Sequence, residues 1–404
     1  MPPLLSLEEA QSRLLALAAP LKPVHLAVDE SCGRYLAAPL LARRTQPAAD
    51  LSAMDGYALR AADFPGPWRV VGESAAGHPF AGVVGAGEAV RIATGALMPD
   101  WADAVLAQED CAREGDQLTL TGTPPNPPHR HIRRRAMDFA EGTSLLPAGI
   151  RIGPAQIALA LAAGHTHLPV HGFPRVAIIE SGDELAPPGE HCPTHRIPAS
   201  NGAMLAAQLS ALPCVIERFG PVADDLPALA TALEAASQAD VIITTGGASV
   251  GDHDLIRPAL EQAGATIDFW QVAIKPGKPL LVARRSGTRG PQIIVGLPGN
   301  PVASLVTGYF FVLPLLRRLL GASQCLPMPV IVPLMGNLPA GGARREFRRG
   351  LWDGRSARDG ESHDSGALAS LALANCLIER AVAAAPAQAG ENLAIYPLGN
   401  GGIT

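Results

Sequence analysis

Two lysines in a segment fixed by proline and glycine are the most informative residues for chemistry. The segment reads IKPGKP at 274–279, so Lys275 and Lys278 stand three positions apart on a backbone with little freedom. Rigid presentation of two ammonium groups suits the capture of an oxyanion or a phosphate. The alternative is a surface turn with solvated lysines, which is less attractive in a chain with few lysines. The pattern therefore favours an anion site.

Three polar loops that contain glycine indicate a phosphorylated ligand. They read ESGDE at 180–184, GGASVGDHD at 246–254 and GLPGNP at 296–301. Glycines permit close approach of a ligand to the backbone, and free amides at a helix start hold anions. In the third loop Asn300 suits an N-cap and Pro301 the first helical position. Carboxylates in the first two loops would repel phosphate without a divalent cation, and Mg²⁺ is typically held by carboxylates and substrate phosphates.

Other charged positions carry weaker signals. The sequence SAMDGYA at 52–58 places Asp55 in a tight turn, although an ordinary Asp-Gly turn would look the same. A basic run at 130–135 precedes Asp138 and would attract an anionic substrate. A second run comprises Arg344, Arg345, Arg348 and Arg349. Charge runs usually form solvated faces, which is the competing interpretation of both.

Several familiar sites are absent from the sequence. No G-x-x-x-x-G-K-[ST] loop occurs, and no GxGxxG opens a helix after a strand. His191, Cys192 and His195 have metal-binding side chains, but Pro193 and the loop setting argue against zinc. The Asp-His-Asp stretch at 252–254 lacks a convincing partner nucleophile, so its carboxylates are better interpreted as serving a metal.

The elements that must position these loops are buried strands. Runs at 176–179, 241–245 and 293–295 are rich in β-branched residues and lack polar alternation, which is typical of strands covered on both faces. Helical patterns at 203–212, 226–236 and 302–320 lie between or after them. Alternation of this kind predicts a doubly wound, mostly parallel sheet. Ligands of such sheets sit beyond the carboxyl ends of the strands.

The flanking regions have a different character. A capping box formed by Ser6 and Glu9 predicts a helix through residue 17. Short apolar runs at 45–122 predict β structure, residues 124–128 form a proline-dense connector, and a helix is predicted at 154–163. After residue 321 the pattern is strand-like again, including a run at 329–333.

Composition limits the class of protein. The chain has 404 residues, of which 48% are hydrophobic and 17% charged, with a net charge of −5. These values predict about three domains and exclude disorder, coiled coil, collagen and a broadly basic nucleic-acid binder. Charged residues interrupt the apolar N-terminus, no membrane span is predicted, and six scattered cysteines without a CxxC pair favour a reducing compartment. We therefore expect a cytoplasmic protein.

Taken in order, the motifs resemble one family. SAMDGYA at 52–58, IATGALMPDWADAV at 92–105 and IRRRAMD at 132–138 are followed by SGDEL, TTGGASVGDHD, IKPGKP and GLPGNP. This series is similar to the molybdopterin molybdenumtransferase family, which comprises MoeA and the E domain of gephyrin-like proteins. The resemblance runs over nearly the whole chain, and the combination of SAMDGYA, KPGKP and GLPGNPV is specific.

The resemblance implies a multidomain α/β and β fold. Its parts would be a discontinuous N-terminal linking and dimerisation domain at 1–44 and 143–173, an inserted β-rich domain at 45–142, a three-layer α/β domain like the adenylyltransferase MogA at 174–322, and a C-terminal β-barrel-like domain at 323–404. It also implies a homodimer whose active site is shared between subunits. Composition alone gave three domains, and the order of the motifs raises the number to four.

The implied activity is the last step of molybdenum cofactor synthesis. Molybdate is inserted into adenylyl-molybdopterin, and AMP is released in a Mg²⁺-dependent reaction. Expected partners are a molybdopterin adenylyltransferase and molybdoenzyme acceptors. Two rival hypotheses remain, adenylyl transfer to molybdopterin itself and a non-catalytic scaffold. The SAMDGYA segment disfavours the first, and retention of the carboxylates and lysines disfavours the second.

The resemblance also assigns residues by motif. Those implied in catalysis are Asp55, Thr94, Asp138, Glu184, Asp224 and Asp254. Among these, the expected metal ligands are Glu184, Asp224 and Asp254. The implied substrate-binding residues are Gly246, Gly247, Ser249, Lys275, Lys278, Pro298, Gly299, Asn300, Ser304, Arg344 and Ser365. Two positions depart from the family pattern: Gln271 stands where many relatives have a basic residue, and Met137 where an acidic one is frequent.

Overall fold

The N-terminal helix begins where its capping box predicts. A computed structural model describes residues 4–246, 255–360, 364 and 366–399. The helix spans Leu7–Ala16, and the Ser6 side chain accepts a hydrogen bond from the Glu9 amide at 3.1 Å. Leu7 and Leu14 are buried in the largest hydrophobic core. The apolar spacing therefore docks this helix on the α/β region rather than leaving it in solvent.

The segments on either side of the β-rich region fold together. Strand Pro23–Ala27 pairs antiparallel with His167–His171, and Leu40–Leu41 pairs with Ser144–Leu146. Helix Pro154–Ala162 covers them, as predicted, with its proline in the first turn. A small core of Leu36, Ile152, Leu168, Val170 and neighbours holds this unit. The chain thus leaves one small unit near residue 44 and returns to it about one hundred residues later.

The intervening region is β-rich, as predicted. Its six-stranded sheet has the spatial order Ala104–Ala107, Gly56–Leu59, Glu88–Ile92, Trp68–Ser74, Gln117–Leu120 and Cys111–Glu114. Buried Trp68 and Leu118 centre its core. Leu51–Ser52 and Ile132–Arg133 form a separate antiparallel pair.

A six-stranded sheet organises the α/β region. Its order is Val215–Val222, Arg175–Ser181, Val241–Thr245, Gly290–Leu297, Leu281–Gly287 and Thr266–Trp270. The first four strands are parallel and the last two are antiparallel to their neighbours. Alternate residues of each central strand enter two different cores, one on each face. The prediction of a mostly parallel sheet covered on both faces is confirmed.

Helices cover both faces of this sheet. They span Asn201–Leu209, Leu226–Ala235 and Ile256–Gln262, and a longer run follows the last parallel strand. That run comprises Pro301–Thr307, a wider π-type turn at Gly308–Val312 and Leu313–Leu319. The Gln11 side chain donates to the Phe310 carbonyl at 2.8 Å, a carbonyl within the wider turn. By length and composition Pro301–Leu319 passes as a membrane span, but 83% of its apolar window is buried inside the protein.

The C-terminal region is a closed five-stranded barrel. Its strands are Val330–Met335, Arg345–Trp352, Ala357–Asp359, Cys376–Arg380 and Asn392–Pro397. Closure follows because Arg345–Trp352 pairs with both Ala357–Asp359 and Cys376–Arg380. A short strand of the α/β region, Ile274–Lys275, pairs in parallel with the start of the barrel strand Arg345–Trp352. Helix Leu368–Leu373 packs beside it.

Candidate active site

The three glycine-bearing loops meet at the carboxyl edge of the central sheet. Asn201, at the start of a helix, donates from Nδ2 to the Gly299 carbonyl at 2.6 Å. A methyl group on Gly299 would lie 3.3 Å from the Gly246 Cα, and one on Gly246 would lie 2.4 Å from the Ser181 carbonyl oxygen. Gly246 also has φ +92°. Gly246 is therefore required by both conformation and space, and a side chain at Gly299 would be tightly confined. Gly247, Ser249 and Asp254 lie outside the described residues.

Two helix starts face the same edge. Asn300 is the predicted N-cap, and its Oδ1 accepts from the amides of Val302 at 3.1 Å and Ala303 at 3.3 Å. The other start is capped by Glu180, whose carboxylate accepts from the Asn201 and Gly202 amides at 2.9 and 3.1 Å. This role of Glu180 was missed in the sequence. An acid that ends a buried strand, followed by a helix start about twenty residues later, is the signal that would have found it.

Both predicted lysines line one pocket of about 480 Å³ between the α/β region and the barrel. Five of the predicted substrate-binding residues share it. Those five are Lys275, Lys278, Pro298, Asn300 and Arg344. The pocket also contains residues that the resemblance did not assign, namely Glu346, Arg348, Arg349 and Asp364. The pocket at the lysines is therefore lined by side chains from both the α/β region and the barrel.

The lysine segment is held by backbone contacts to the barrel. In the parallel pairing, Lys275 lies opposite Glu346, and the Arg344 guanidinium donates to the Ile274 carbonyl at 3.1 Å. Gly277 has φ +108°, and a methyl group there would lie 2.6 Å from Thr307 Cγ2. The central glycine of KPGKP is therefore required both by conformation and by space.

Ser304 does not face the pocket, contrary to its implied role as an anion contact. It is 0% exposed, and its hydroxyl donates to the Pro298 carbonyl. One turn into the helix, a hydroxyl at this position secures the preceding loop instead of reaching a ligand. Ser304 is therefore not among the residues that line the lysine pocket.

The second arginine run is not a solvated face. Arg345 pairs with Glu379 at 2.6 Å and also with Glu8, while Arg349 is only 2% exposed and donates to the Asp364 and Ala367 carbonyls at 2.8 and 3.2 Å. Burial lowers the pKa of Arg349, which nevertheless stays charged because its ordinary pKa is so high. The competing interpretation of this run as a solvated face is therefore wrong for Arg345 and Arg349.

Acidic residues cluster just after the first two strands of the sheet order, Val215–Val222 and Arg175–Ser181. The Asp224 amide donates to Asp183 Oδ1 at 3.1 Å, and the Asp183 amide lies 3.4 Å from Asp224 Oδ2. Burial raises the pKa of Asp224, the hydrogen bond from the Asp183 amide opposes this, and the charges of Asp183 and Glu184 raise it further. Unneutralised carboxylates of this kind suit a cation. Among residues 4–246, 255–360, 364 and 366–399, however, no group of three or more His, Cys, Asp or Glu is arranged to hold a metal.

Asp55 and Thr94 are brought together in the β-rich region. Asp55 Oδ1 accepts from the Thr94 amide at 2.7 Å and from its hydroxyl at 2.8 Å. These bonds, the amide first, lower the pKa of Asp55, and the charge of Arg91 adds to the effect. Asp138 is exposed on a different turn, where its amide donates to the Gln46 carbonyl at 3.1 Å. None of these three residues lines the lysine pocket of the same chain.

The remaining predicted positions have simple locations. Gln271 is buried at φ +76°, and its amide donates to the Leu280 carbonyl at 2.9 Å. Met137 is exposed on the turn before Asp138. Ser365 lies outside the described residues, although its neighbour Asp364 lines the lysine pocket. Gln271 and Met137, the two positions that depart from the family pattern, do not line that pocket.

Comparison with family models covers most of the chain. Residues 5–164 match the MoeA N-terminal region (domain I and II), residues 177–318 match a probable molybdopterin binding domain, and residues 332–398 match the MoeA C-terminal region (domain IV). The order of the three matches is the order of the regions described above.

Relatives and solved structures agree with these matches. A molybdopterin molybdenumtransferase of a Nostoc species is 38% identical over 359 residues, covering 85% of this chain and 82% of the relative. One from Haemophilus influenzae is 34% identical over 354 residues, covering 86% of each. The crystal structure of a molybdopterin biosynthesis MoeA protein from Pyrococcus horikoshii OT3 superimposes with a TM-score of 0.84 at 27% identity, over 98% of this chain and 100% of that one. The chain therefore belongs to the MoeA family of molybdopterin molybdenumtransferases.

Proposed function

We propose that this protein inserts molybdate into adenylyl-molybdopterin and releases AMP in a Mg²⁺-dependent reaction. The single observation that carries the proposal is the pocket in which Lys275, Lys278 and Arg344 meet beside the carboxyl edge of the α/β sheet. A molybdopterin adenylyltransferase would supply the substrate, and molybdoenzymes would accept the product. The proposal includes a homodimer.

The lysine pocket suits the molybdate dianion. Five cationic side chains and two anionic ones line it. Molybdate must approach an anionic, phosphate-bearing pterin, and two like charges 4 Å apart cost about 4 kcal/mol at an effective dielectric of about 20. Lys275 and Lys278 offset this repulsion with charge-assisted hydrogen bonds to the oxyanion. Their loop is fixed by proline, glycine and the barrel, so little reorganisation is needed when the anion binds.

The adjacent sheet edge suits the adenylyl-pterin. Glycine backbones approach one another there, and Asn300 begins a helix whose free amides favour an anion. Several buried side-chain atoms at this edge have no hydrogen-bond partner: Ser181 Oγ, Asn201 Oδ1, Thr244 Oγ1 and Thr245 Oγ1. Buried polar atoms are normally satisfied, so a cluster without partners supports a ligand that completes the site.

The acidic cluster suits Mg²⁺. Glu184 and Asp224 would hold the ion, and the third predicted ligand, Asp254, lies outside the described residues. The bound ion would neutralise charge on the phosphoanhydride. Its fit is supported by the raised pKa of Asp224, since the burial and neighbouring carboxylates that raise it leave negative charge uncompensated.

Asp55 would act from a second subunit. It is exposed and kept ionised by Thr94, yet it does not line the lysine pocket of its own chain. A homodimer in which the β-rich region of one subunit reaches the pocket of the other would complete the site. Asp55 would then orient water or a leaving group at the phosphoanhydride.

The test is a reaction with defined substrates. Purified protein with adenylyl-molybdopterin, molybdate and Mg²⁺ is expected to release AMP and to yield cofactor that activates an apo-molybdoenzyme. Molybdopterin and ATP should yield no adenylylated product. Adenylylation in the second reaction would favour the adenylyltransferase alternative, and binding of the substrate without AMP release would favour a scaffold.

Asp224→Asn is expected to stabilise the protein while weakening its response to Mg²⁺. The raised pKa means that the folded state prefers the protonated carboxyl, so the native protein loses stability as pH rises through that pKa. At pH 7.5 the neutral variant should gain about 0.5 kcal/mol in free energy of unfolding. The value is small because solvent screens the repulsion between Asp224 and Asp183. Thermal unfolding measures the gain, which should shrink as the pH falls towards 4.

Mg²⁺ provides the internal control for this variant. Wild-type protein should melt at a higher temperature with MgCl₂, and Asp224→Asn should respond less while its AMP release falls. A variant with unchanged stability and an unchanged response to Mg²⁺ would contradict the assignment. Asp225→Asn is the matched comparison, since Asp225 caps the next helix through Oδ1 and no Mg²⁺ role is proposed for it.

A further inference from the structure

A row of alternating charges leads from the barrel into the lysine pocket. Arg348 is bound by Asp359, with Nη2 to Oδ2 at 2.6 Å and Nε to both carboxylate oxygens at 3.1 and 3.2 Å. Arg348 Nη1 lies 3.4 Å from Glu346 Oε1. The same Glu346 oxygen lies 3.0 Å from Lys275 Nζ. The row therefore runs Asp359, Arg348, Glu346, Lys275.

Strand pairing fixes the geometry of this row. Glu346 and Arg348 are two residues apart on strand Arg345–Trp352, so their side chains share one face. Asp359 reaches Arg348 from the antiparallel neighbour Ala357–Asp359, and Lys275 lies directly opposite Glu346 in the parallel pairing. Every member is thus carried by a strand rather than by a loose loop.

Burial makes Glu346 the fixed end and Lys275 the adjustable one. The side chains of Glu346 and Arg348 are each 11% exposed, whereas that of Lys275 is 56% exposed. Burial lowers the pKa of Arg348, but its hydrogen bond to Asp359 and the charges of Asp359 and Glu346 outweigh this and leave the pKa raised. Arg348 consequently remains charged, and its guanidinium lies beside the Glu346 side chain that faces Lys275.

A carboxylate in an oxyanion pocket opposes the binding of the oxyanion. Glu346 lines the pocket together with Lys275 and Lys278, so its charge lies among the groups proposed to hold molybdate. The ion pair is not needed to join the α/β region to the barrel, because the backbone pairing of Ile274–Lys275 with the barrel already joins them. The position of Glu346 therefore has a consequence for the bound anion.

We propose that Glu346 is a positioning residue that aims the Lys275 ammonium and lowers the positive potential of the pocket. This inference rests on the proposed function. Aiming favours the geometry of molybdate transfer, and the lowered potential keeps molybdate weakly bound, so that it leaves the pocket for the dithiolene. Removal of the Glu346 charge should therefore tighten molybdate binding and slow its transfer.

The experiment compares Glu346→Gln with Glu346→Asp and with Glu379→Gln. Glu379 is the matched control because it is similarly buried, at 15% side-chain exposure, and is ion-paired to Arg345 on the adjoining strand, but does not line the pocket. Binding of sodium molybdate alone is measured by calorimetry at low ionic strength. AMP release gives KM for molybdate and kcat, and thermal unfolding monitors the fold.

Glu346→Gln should bind molybdate about threefold to tenfold more tightly, since one negative charge a few ångströms from the anion is removed. Its KM for molybdate should fall, and its kcat should fall about tenfold because Lys275 is no longer aimed. Glu346→Asp, which keeps the charge but shortens the side chain, should restore the wild-type affinity and only part of kcat. Glu379→Gln should change neither constant.

Unchanged or weaker molybdate binding by folded Glu346→Gln would overturn the inference. If that variant does not fold, Asp359→Asn tests the row from its other end, and tighter molybdate binding is again expected. If wild-type protein releases AMP and Glu346→Gln has the same molybdate affinity and the same rate of AMP release, this inference alone is overturned. Wild-type protein that neither binds molybdate nor releases AMP would overturn the proposed function, and this inference with it.

Discussion

Asp55→Asn is expected to abolish molybdenum insertion while leaving the fold and its thermal stability almost unchanged. Asp55 is exposed, and the asparagine oxygen can still accept from the Thr94 amide and hydroxyl, as the carboxylate does at 2.7 and 2.8 Å. The substitution therefore removes the charge and little else. Loss of a positioned acid or base costs about 10²–10⁴-fold in rate. AMP release under single-turnover conditions measures the loss.

The pH dependence of the reaction provides a second readout for Asp55. Hydrogen bonds from Thr94 hold the pKa of Asp55 below its ordinary value, so Asp55 stays ionised as the pH falls. Burial and neighbouring carboxylates instead raise the pKa of Asp224. We therefore expect that activity lost on mild acidification reflects protonation of Asp224 and the resulting loss of Mg²⁺, and not protonation of Asp55. Thr94→Val, which removes the hydroxyl bond, should move the Asp55 limb towards neutral pH, whereas Thr94→Ser should not.

Asp116→Asn is the control for Asp55→Asn. Asp116 is an exposed carboxylate of the same β-rich region, ion-paired to Arg113 at 3.5 Å. Its substitution should leave AMP release within twofold of wild type, the variation expected of a surface change. Asp55→Asn protein that melts normally and retains wild-type AMP release would remove Asp55 from the proposed mechanism.

Local patterns were sufficient to predict the scaffold of the site. The strand Val241–Thr245 has the predicted bounds because a β-branched run without polar alternation has few alternatives to a buried strand. The Asn300 cap was predictable because its hydrogen bonds join residues two and three positions apart. The lysine segment was predictable as rigid because proline and glycine restrict the chain wherever they occur.

Contacts between distant parts of the chain were not predictable. Arg345 looked solvated, yet its partners Glu8 and Glu379 come from the other end of the chain and from another strand of the barrel. The role of Glu346 could not be predicted because it depends on the ion pair with Lys275, which strand pairing places opposite it. The motif gives the position of Ser304 but not its side-chain rotamer, so the hydrogen bond from its hydroxyl to the Pro298 carbonyl could not be predicted. Sequence spacing specifies local geometry, and tertiary pairing decides which charges meet.

Lys275→Met is expected to weaken oxyanion binding strongly and to abolish molybdenum insertion. Methionine keeps the apolar stem and removes the ammonium group, so Glu346 would lose its lysine partner at 3.0 Å while Arg348 still holds it. Loss of a charge-assisted hydrogen bond of about 1.5–3 kcal/mol corresponds to about 10- to 100-fold weaker binding of molybdate. The uncompensated Glu346 charge adds to this loss. Calorimetry with molybdate measures it directly.

The third lysine of the chain supplies the control. Lys22 is exposed and its backbone carbonyl accepts from Gly172, so Lys22→Met changes the net charge equally without touching the pocket. Lys22→Met should bind molybdate like wild type. Equal weakening in both variants would mean that overall charge, and not the pocket, governs the affinity.

Mixing the two inactive variants would show whether Asp55 and Lys275 serve one site from two subunits. If they do, a dimer of one Asp55→Asn subunit and one Lys275→Met subunit contains one intact site and one doubly defective site. Random reassortment makes half of the dimers mixed, so about a quarter of wild-type activity should return. If both residues act within one chain, mixing restores nothing, because each subunit then carries its own defect. Recovery of activity would therefore place Asp55 of one subunit at the lysine pocket of the other, and its absence would confine the chemistry to a single chain.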